Sequence, residues 1–290
     1  MIRLTDSRTE GEETVRFCHY SVKEYLMSDR ITQLKGPASA FAIRVTEAHQ
    51  LAASITIIYL LTAIQSESVT TNRFPFLEYA AQFWPNHVHS STTKERPSLE
   101  YKARGIFDSR FISGWLKAYN LDRGYHYGLL ATFPPPLYYS SLLGFGDIAE
   151  WLLNNGANVN AQGGYYGNAL QAALAKGHEK VVQLLLDKGA NVNAQGGHYG
   201  NALQAASAEG HEKLVQSLLD KGANVNAQGG CYGNALQAAS AEGHEKVVQS
   251  LLDKGANVDA QGGHYGNALQ AALTRGHEKV VQLLQNYRPH

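Results

Sequence analysis

Cysteine is nearly absent from this sequence: of 290 residues only Cys18 and Cys231 are cysteines, and they lie far apart. That excludes a disulfide-stapled secreted scaffold and makes a reducing compartment the expected setting, the cytoplasm with the nucleus as the alternative. Excess charge of one sign is absent too. Lys plus Arg and Asp plus Glu both number 25, so no net field draws the chain to nucleic acid or an anionic membrane, and neither is expected as a partner. Long hydrophobic runs are missing as well. The most apolar stretch, Leu51 to Ile64, is interrupted by Ser54, Thr56 and Thr62. It falls short of the roughly 20 apolar residues that cross a bilayer and reads as a buried core helix. The polar opening, with no Gly after Met1, matches neither a secretory signal nor a myristoylation site.

Catalytic signatures are equally scarce. Isolated carboxylates such as Glu24 and Asp29 show no pairing at helical spacing, and Cys18 beside His19 on an extended run would point to the opposite face. His178-Glu179-Lys180-Val181-Val182 opens like a zinc-protease helix but has Val182 where the second His must stand. His211, His244 and His277 recur at the same register and read as turn-stabilising residues. The column Tyr165, His198, Cys231, His264 carries metal-ligand side chains. Repeats packed about 8 to 10 Å apart would hold those side chains too far from one ion. No catalytic, cofactor-binding or metal-binding residue is assigned, and the chain is expected not to be an enzyme.

What the sequence does have is repetition. Gly-Asn-Ala-Leu-Gln begins at Gly167, Gly200, Gly233 and Gly266, a period of 33. Stepping back once places Leu137 with Leu170, Gly144 with Gly177 and Gly156 with Gly189, so a divergent first unit starts near Pro134. In each unit Asn168 and Gln171, or their copies, form an N-x-x-Q variant of the capping box at the start of a helix. That helix is short and Ala-rich, and Gly177 ends it. Val181, Val182, Leu185 and Leu186 then form the apolar stripe of a second helix, with Glu179 and Lys188 placed to suit its dipole. The Asn- and Gly-rich stretch from Ala190 to Tyr199 predicts a hairpin finger. One such unit cannot cover its own apolar stripe, so the units must stack as a solenoid.

Helix–turn–helix units with Gly-His before the second helix, Leu-Leu-x-x-Gly-Ala and Asn-Val-Asn at this period resemble ankyrin repeats. One departure is consistent: Asn168-Ala169-Leu170-Gln171 replaces the usual Thr-Pro-Leu-His opening, so that motif's Thr-to-His hydrogen bond does not carry over. The stretch Val15 to Leu26, a β-like run leading into an amphipathic helix, resembles the winged-helix element after the NACHT domain of fungal NOD-like (STAND) proteins. Helical patterns at Phe41 to Ile64, Phe76 to Trp84 and Asp108 to Tyr119, separated by polar loops such as Ser90 to Glu100, resemble the connector of those proteins. No Gly-x-x-x-x-Gly-Lys-[Ser/Thr] loop occurs, so the nucleotide switch of that family is absent from this sequence.

The expected fold is all-α: a winged-helix-like remnant over 1–35, a helical connector over 36–133, and an ankyrin-repeat solenoid of about five repeats over 134–290. The repeats are 134–166, 167–199, 200–232, 233–265 and 266–290. The resemblance implies a non-catalytic protein-binding module, the sensing arm of a NOD-like receptor type protein without its nucleotide-binding domain. The alternative is the targeting arm of an enzyme or pathway subunit with its activity in 1–133. The partner is expected to be another protein, and the chain a monomer. Units 200–232 and 233–265 differ only at Leu214/Val247, Asn226/Asp259 and Cys231/His264, so variation against that background marks candidate contacts. These are Tyr165, His198, Cys231 and His264 in the fingers, and Leu174, Lys176, Ser207, Glu209, Ser240, Glu242 and Arg275 at the ends of the first helices. The constant tyrosines Tyr166, Tyr199, Tyr232 and Tyr265 join them as an aromatic row, or else pack against the next finger.

Overall fold

The computed structural model describes residues 45–66, 73–119, 121 and 133–287, and the winged-helix-like remnant expected at 1–35 lies outside them. Two helices form each repeat, and among the described residues a finger joins each of the first four to the next. The first repeat contributes α5 (Pro136–Leu142) and α6 (Gly146–Asn154), the second α7 (Ala169–Ala175) and α8 (Glu179–Asp187). The third has α9 (Ala202–Ala208) and α10 (Glu212–Asp220), the fourth α11 (Ala235–Glu242) and α12 (Glu245–Asp253), the fifth α13 (Ala268–Arg275) and α14 (Glu278–Asn286). Strands β1 (Gln195–Gly196) and β2 (Gly200–Asn201) pair antiparallel with Gln195 opposite Asn201, closing one finger. Single bridges at Gln162–Asn168, Gly229–Gly233 and Gly262–Gly266 close the others.

The reason for this architecture is local. Asn168, Asn201, Asn234 and Asn267 are extended N-caps whose side chains accept from the backbone N–H of Gln171, Gln204, Gln237 and Gln270. Each such cap stabilises its helix by about 1 kcal/mol. The reciprocal half of the expected capping box does not form. Gln171 instead reaches forward, its Nε2 donating to Ala194 O at 3.3 Å and Gly196 O at 3.2 Å. Gln237 does the same to Ala260 O and Gly262 O. The finger that leads to the next repeat offers carbonyls to the amide Nε2, and the side chain extends towards them and away from the cap N–H.

Repeat is tied to repeat by three recurring devices. The first is the Gly-His pair: His178 Nε2 donates to Leu142 O at 3.1 Å and His244 Nε2 to Ala208 O at 2.9 Å, one repeat back. The ring lies on the preceding repeat's glycine, so that a Cβ on Gly210 would sit 2.5 Å from the His244 ring. The second is an asparagine ladder. Asn193 Nδ2 donates to Gly222 O at 3.0 Å while its Oδ1 accepts from Asn224 N at 2.8 Å, and Asn160 and Asn226 repeat the pattern. The third is a finger-to-finger backbone chain, in which His198 N donates to Tyr165 O, Cys231 N to His198 O and His264 N to Cys231 O, at 2.9 to 3.0 Å.

Ahead of the stack lie α1 (Val45–Ile64), α2 (Leu77–Ser90), α3 (Arg96–Ala103), a 3-10 turn (Arg104–Phe107) and α4 (Ile112–Ala118). Three expectations need correction here. Helix α2 runs on past Trp84 through Pro85. Proline lacks the N–H that would bond four residues back, and the freed Ala81 carbonyl accepts instead from Trp115 Nε1 at 2.9 Å. The stretch read as a polar loop contains the start of α3, opened by Pro97 in its first turn and anchored by buried Leu99 and Ala103. Helix α1 is buried on one face only, through Ala53, Thr56, Ile57 and Leu60, while Leu51, Ile55 and Ile58 stay exposed.

These helices dock on the first repeat. Trp84 stacks on Phe145 at 5.1 Å between centroids, and Trp115 meets Tyr139 edge-on at 6.1 Å. One continuous buried cluster therefore runs from Ala53 to Leu284.

Candidate functional site

The variable positions sit where the three stacking devices leave surface over. In the fingers, Tyr165 and His198 stack face to face at 4.7 Å and 20°, and Cys231 Sγ lies 3.3 Å from His198 Nε2. Backbone pairing between fingers thus brings this column far closer together than the spacing of packed helices predicts. Burial pushes the Cys231 thiol up and the His198 imidazole down from their ordinary pKa values. The contact is therefore a neutral thiol–imidazole pair and not a reactive thiolate. His264, next in the column, is exposed. Among the described residues no group of three or more His, Cys, Asp or Glu could hold a metal ion.

Beside this column runs the tyrosine row. Tyr166 stacks on Tyr199 at 6.0 Å and 19°, and Tyr199 on Tyr232 at 6.1 Å and 10°. Tyr166 is buried, while Tyr199, Tyr232 and Tyr265 are half-buried. The row is thus first an intramolecular stack, and only its edges face outward. Its hydroxyls are anchored by the variable helix-end residues: Tyr199 donates to Glu209 Oε1 at 2.6 Å and Tyr232 to Glu242 Oε1 at 2.8 Å. Burial and those carboxylates raise both phenols above their usual range. Lys176 covers the Tyr166 ring at 5.5 Å, and Arg275 Nη2 approaches Glu242 at 3.5 Å. From repeat to repeat the helix-end charge therefore reads plus, minus, minus, plus over a constant aromatic base.

Leu174, Ser207 and Ser240 do not belong to this surface. All seven residues of α7 and of α9 are buried, and Ser240 is buried in α11. Each of these first helices is flanked on both sides by the first helices of neighbouring repeats, so a Leu-to-Ser change there alters packing volume and not a contact. Leu273, at the same register in the fifth repeat, is 57% exposed, with no repeat stacked beyond it among the described residues.

The forward reach of the glutamines was not foreseen: the sequence marked them as the second half of a capping box, and the structure turns them to the next finger. Gln171, Gln204 and Gln237 are fully buried, and the only signal of that reach was a polar residue kept constant inside an Ala-rich helix.

Residues 137–229 and 203–289 match a family model described as ankyrin repeats, together more than half of the chain. A curated relative, azaphilone pigments biosynthesis cluster protein L of Monascus ruber, is 39% identical over 205 residues, which cover 63% of this chain and 43% of the relative. The chain thus spans less than half the length of that relative.

Proposed function

The chain belongs to the ankyrin-repeat family, and on that premise we propose that it binds another protein through the outer edge of its finger rows and the charged ends of its first helices. The observation that carries this reading is the division of labour along each repeat. The Gly-His pairs, the asparagine ladder and the forward glutamines account for stacking and are constant, whereas His198, Cys231, His264, Lys176, Glu209, Glu242 and Arg275 vary at the surface. Variation at surface residues that the stack does not require is what a recognition surface needs. The module is non-catalytic, a monomer, and works in the cytoplasm.

Two settings for the partner have support. One is the sensing arm of a NOD-like receptor type protein lacking its nucleotide-binding domain, which rests on the short resemblance over Val15 to Leu26. The other is an arm that holds a protein of a biosynthetic pathway, favoured by the likeness to a relative whose name assigns it to an azaphilone pigment biosynthesis cluster. The second has the wider base, since that match covers 63% of the chain.

Affinity capture with the full chain, compared with the triple variant His198→Ala, Cys231→Ala, His264→Ala, tests both levels. Retained helicity with weakened capture supports the binding surface, and unchanged capture overturns it. Pathway enzymes among the proteins lost favour the second setting, and signalling proteins the first.

A further inference from the structure

The junction between the connector helices and the first repeat contains a buried carboxylate that the binding function does not use. Glu100, on α3, is 5% exposed and its Oε2 accepts from the backbone N–H of Asp147 at 3.1 Å. It thereby caps α6, the second helix of the first repeat. In later repeats the residue before this helix is a His that reaches back to the preceding unit, as His178 does. The first repeat has Phe145 there, and the connector supplies the missing partners. The ring of His89 stacks on Phe145 at 4.8 Å and 6°, and its Nε2 donates to Leu143 O at 2.7 Å. Glu100 completes the substitution at the helix end.

The substitution has an electrostatic cost. Asp147 puts a second carboxylate in the first turn of α6, beside Glu100. Among the described residues the cation that acts on Glu100 is Arg96 on its own helix, and Arg96 Nη2 already donates to His89 O at 2.7 Å. Arg104, on the following 3-10 turn, is turned towards the rings of Tyr101 and Trp151. An ionised Glu100 thus bears the desolvation cost of its own burial and the field of the exposed Asp147 carboxylate, against which stand the backbone N–H groups of Ile148 and Asp147, whereas a protonated Glu100 keeps its acceptor for Asp147 N–H and sheds that cost.

We propose that Glu100 is a proton-operated latch between the connector and the solenoid: protonated it holds α3 against α6, and ionised it loosens that docking. Burial first, and then the Asp147 charge, push its pKa from 4.5 up to about 7, which puts the change at physiological pH. The sign follows from linkage. The folded junction holds a proton that the unfolded chain releases near 4.5, so the latch's contribution is full below that pH. It declines as pH rises to about 7, and is lost above it.

All three tryptophans report on this junction, since Trp84 and Trp115 lie on the connector side and Trp151 on α6. Thermal melts of the full chain followed by tryptophan fluorescence, for the natural sequence and Glu100→Gln at pH 5 and pH 8, test the latch. Comparing the two proteins at each pH cancels the histidines. The expected result is a variant that melts like the natural protein at pH 5 and about 5 °C above it at pH 8. The same difference between the two proteins at both pH values overturns the proposal. If Glu100→Gln fails to fold, Asp147→Asn gives the decision. With the like charge removed, the fluorescence-detected pH midpoint must fall, and an unmoved midpoint rejects the latch.

Discussion

In the solenoid each interface repeats the same mixture of small and aliphatic residues with directional contacts, in which Gly-His pairs, Asn side chains and Gln amides bridge backbones that approach closely. In the connector the same task falls to large aromatic rings, where Trp84, Phe107, Trp115 and Phe145 meet at 5.1 to 6.4 Å. The repeat interface recurs, so a small number of directional contacts can be copied along the chain. The connector interface occurs once and is filled by volume. Replacing a ring therefore removes a large part of one unique contact, whereas replacing a stacking residue removes one of several equivalent contacts.

That contrast can be broken most sharply at Trp115. Trp115→Ala leaves a cavity and orphans the Ala81 carbonyl behind Pro85, with an expected loss of about 4 kcal/mol. In chemical denaturation this is read as a connector transition that separates from the solenoid's. A single cooperative transition of unchanged midpoint would show the two regions are not built differently. Gly210→Ala comes next. Gly210 has φ of +71° and the His244 ring against it, so a methyl group there both strains the backbone and displaces the ring, at about 2 to 3 kcal/mol. Its effect is expected in the solenoid's melt alone.

Acid sharpens the comparison at the next level. Burial holds His178 and His211 below the ordinary 6.5, so their contribution to stability is present above 6.5 and is lost as pH falls through their lowered values. The latch at Glu100 runs the other way. Burial lowers His89 at the junction as well, so circular dichroism melts between pH 7 and 5 are expected to show the repeats weakening, with Glu100 opposing His89 at the junction. The smallest effect is expected at the caps: Asn234→Ala should cost about 1 kcal/mol, measured by urea denaturation.

The repeats were legible in the sequence because their constraints are local and periodic. Glycines with positive φ, Asn caps and an apolar stripe each leave a mark within one unit, and 33-residue spacing repeats it. The connector was less legible because its order is set at long range. Nothing near Pro85 announces that Trp115 will satisfy the freed carbonyl, and α3 has few apolar residues to betray it. The candidate site was half legible. Variation alone marked Lys176, Glu209, Glu242 and Arg275, yet it equally marked Leu174, Ser207 and Ser240, because a change in core volume and a change in contact look alike in a string of letters. Likewise the constant tyrosines reveal their stacking only once the fingers are seen to pair through their backbones.

The central claim is that the outer finger edges, and not the outward faces of the second helices, meet the partner. Amide hydrogen exchange of the full chain with and without captured partner measures this directly. The account predicts slowed exchange at residues 163–166, 196–199, 229–232 and 262–265, with none along α8, α10 and α12. Protection confined to those second helices or to the connector would contradict it.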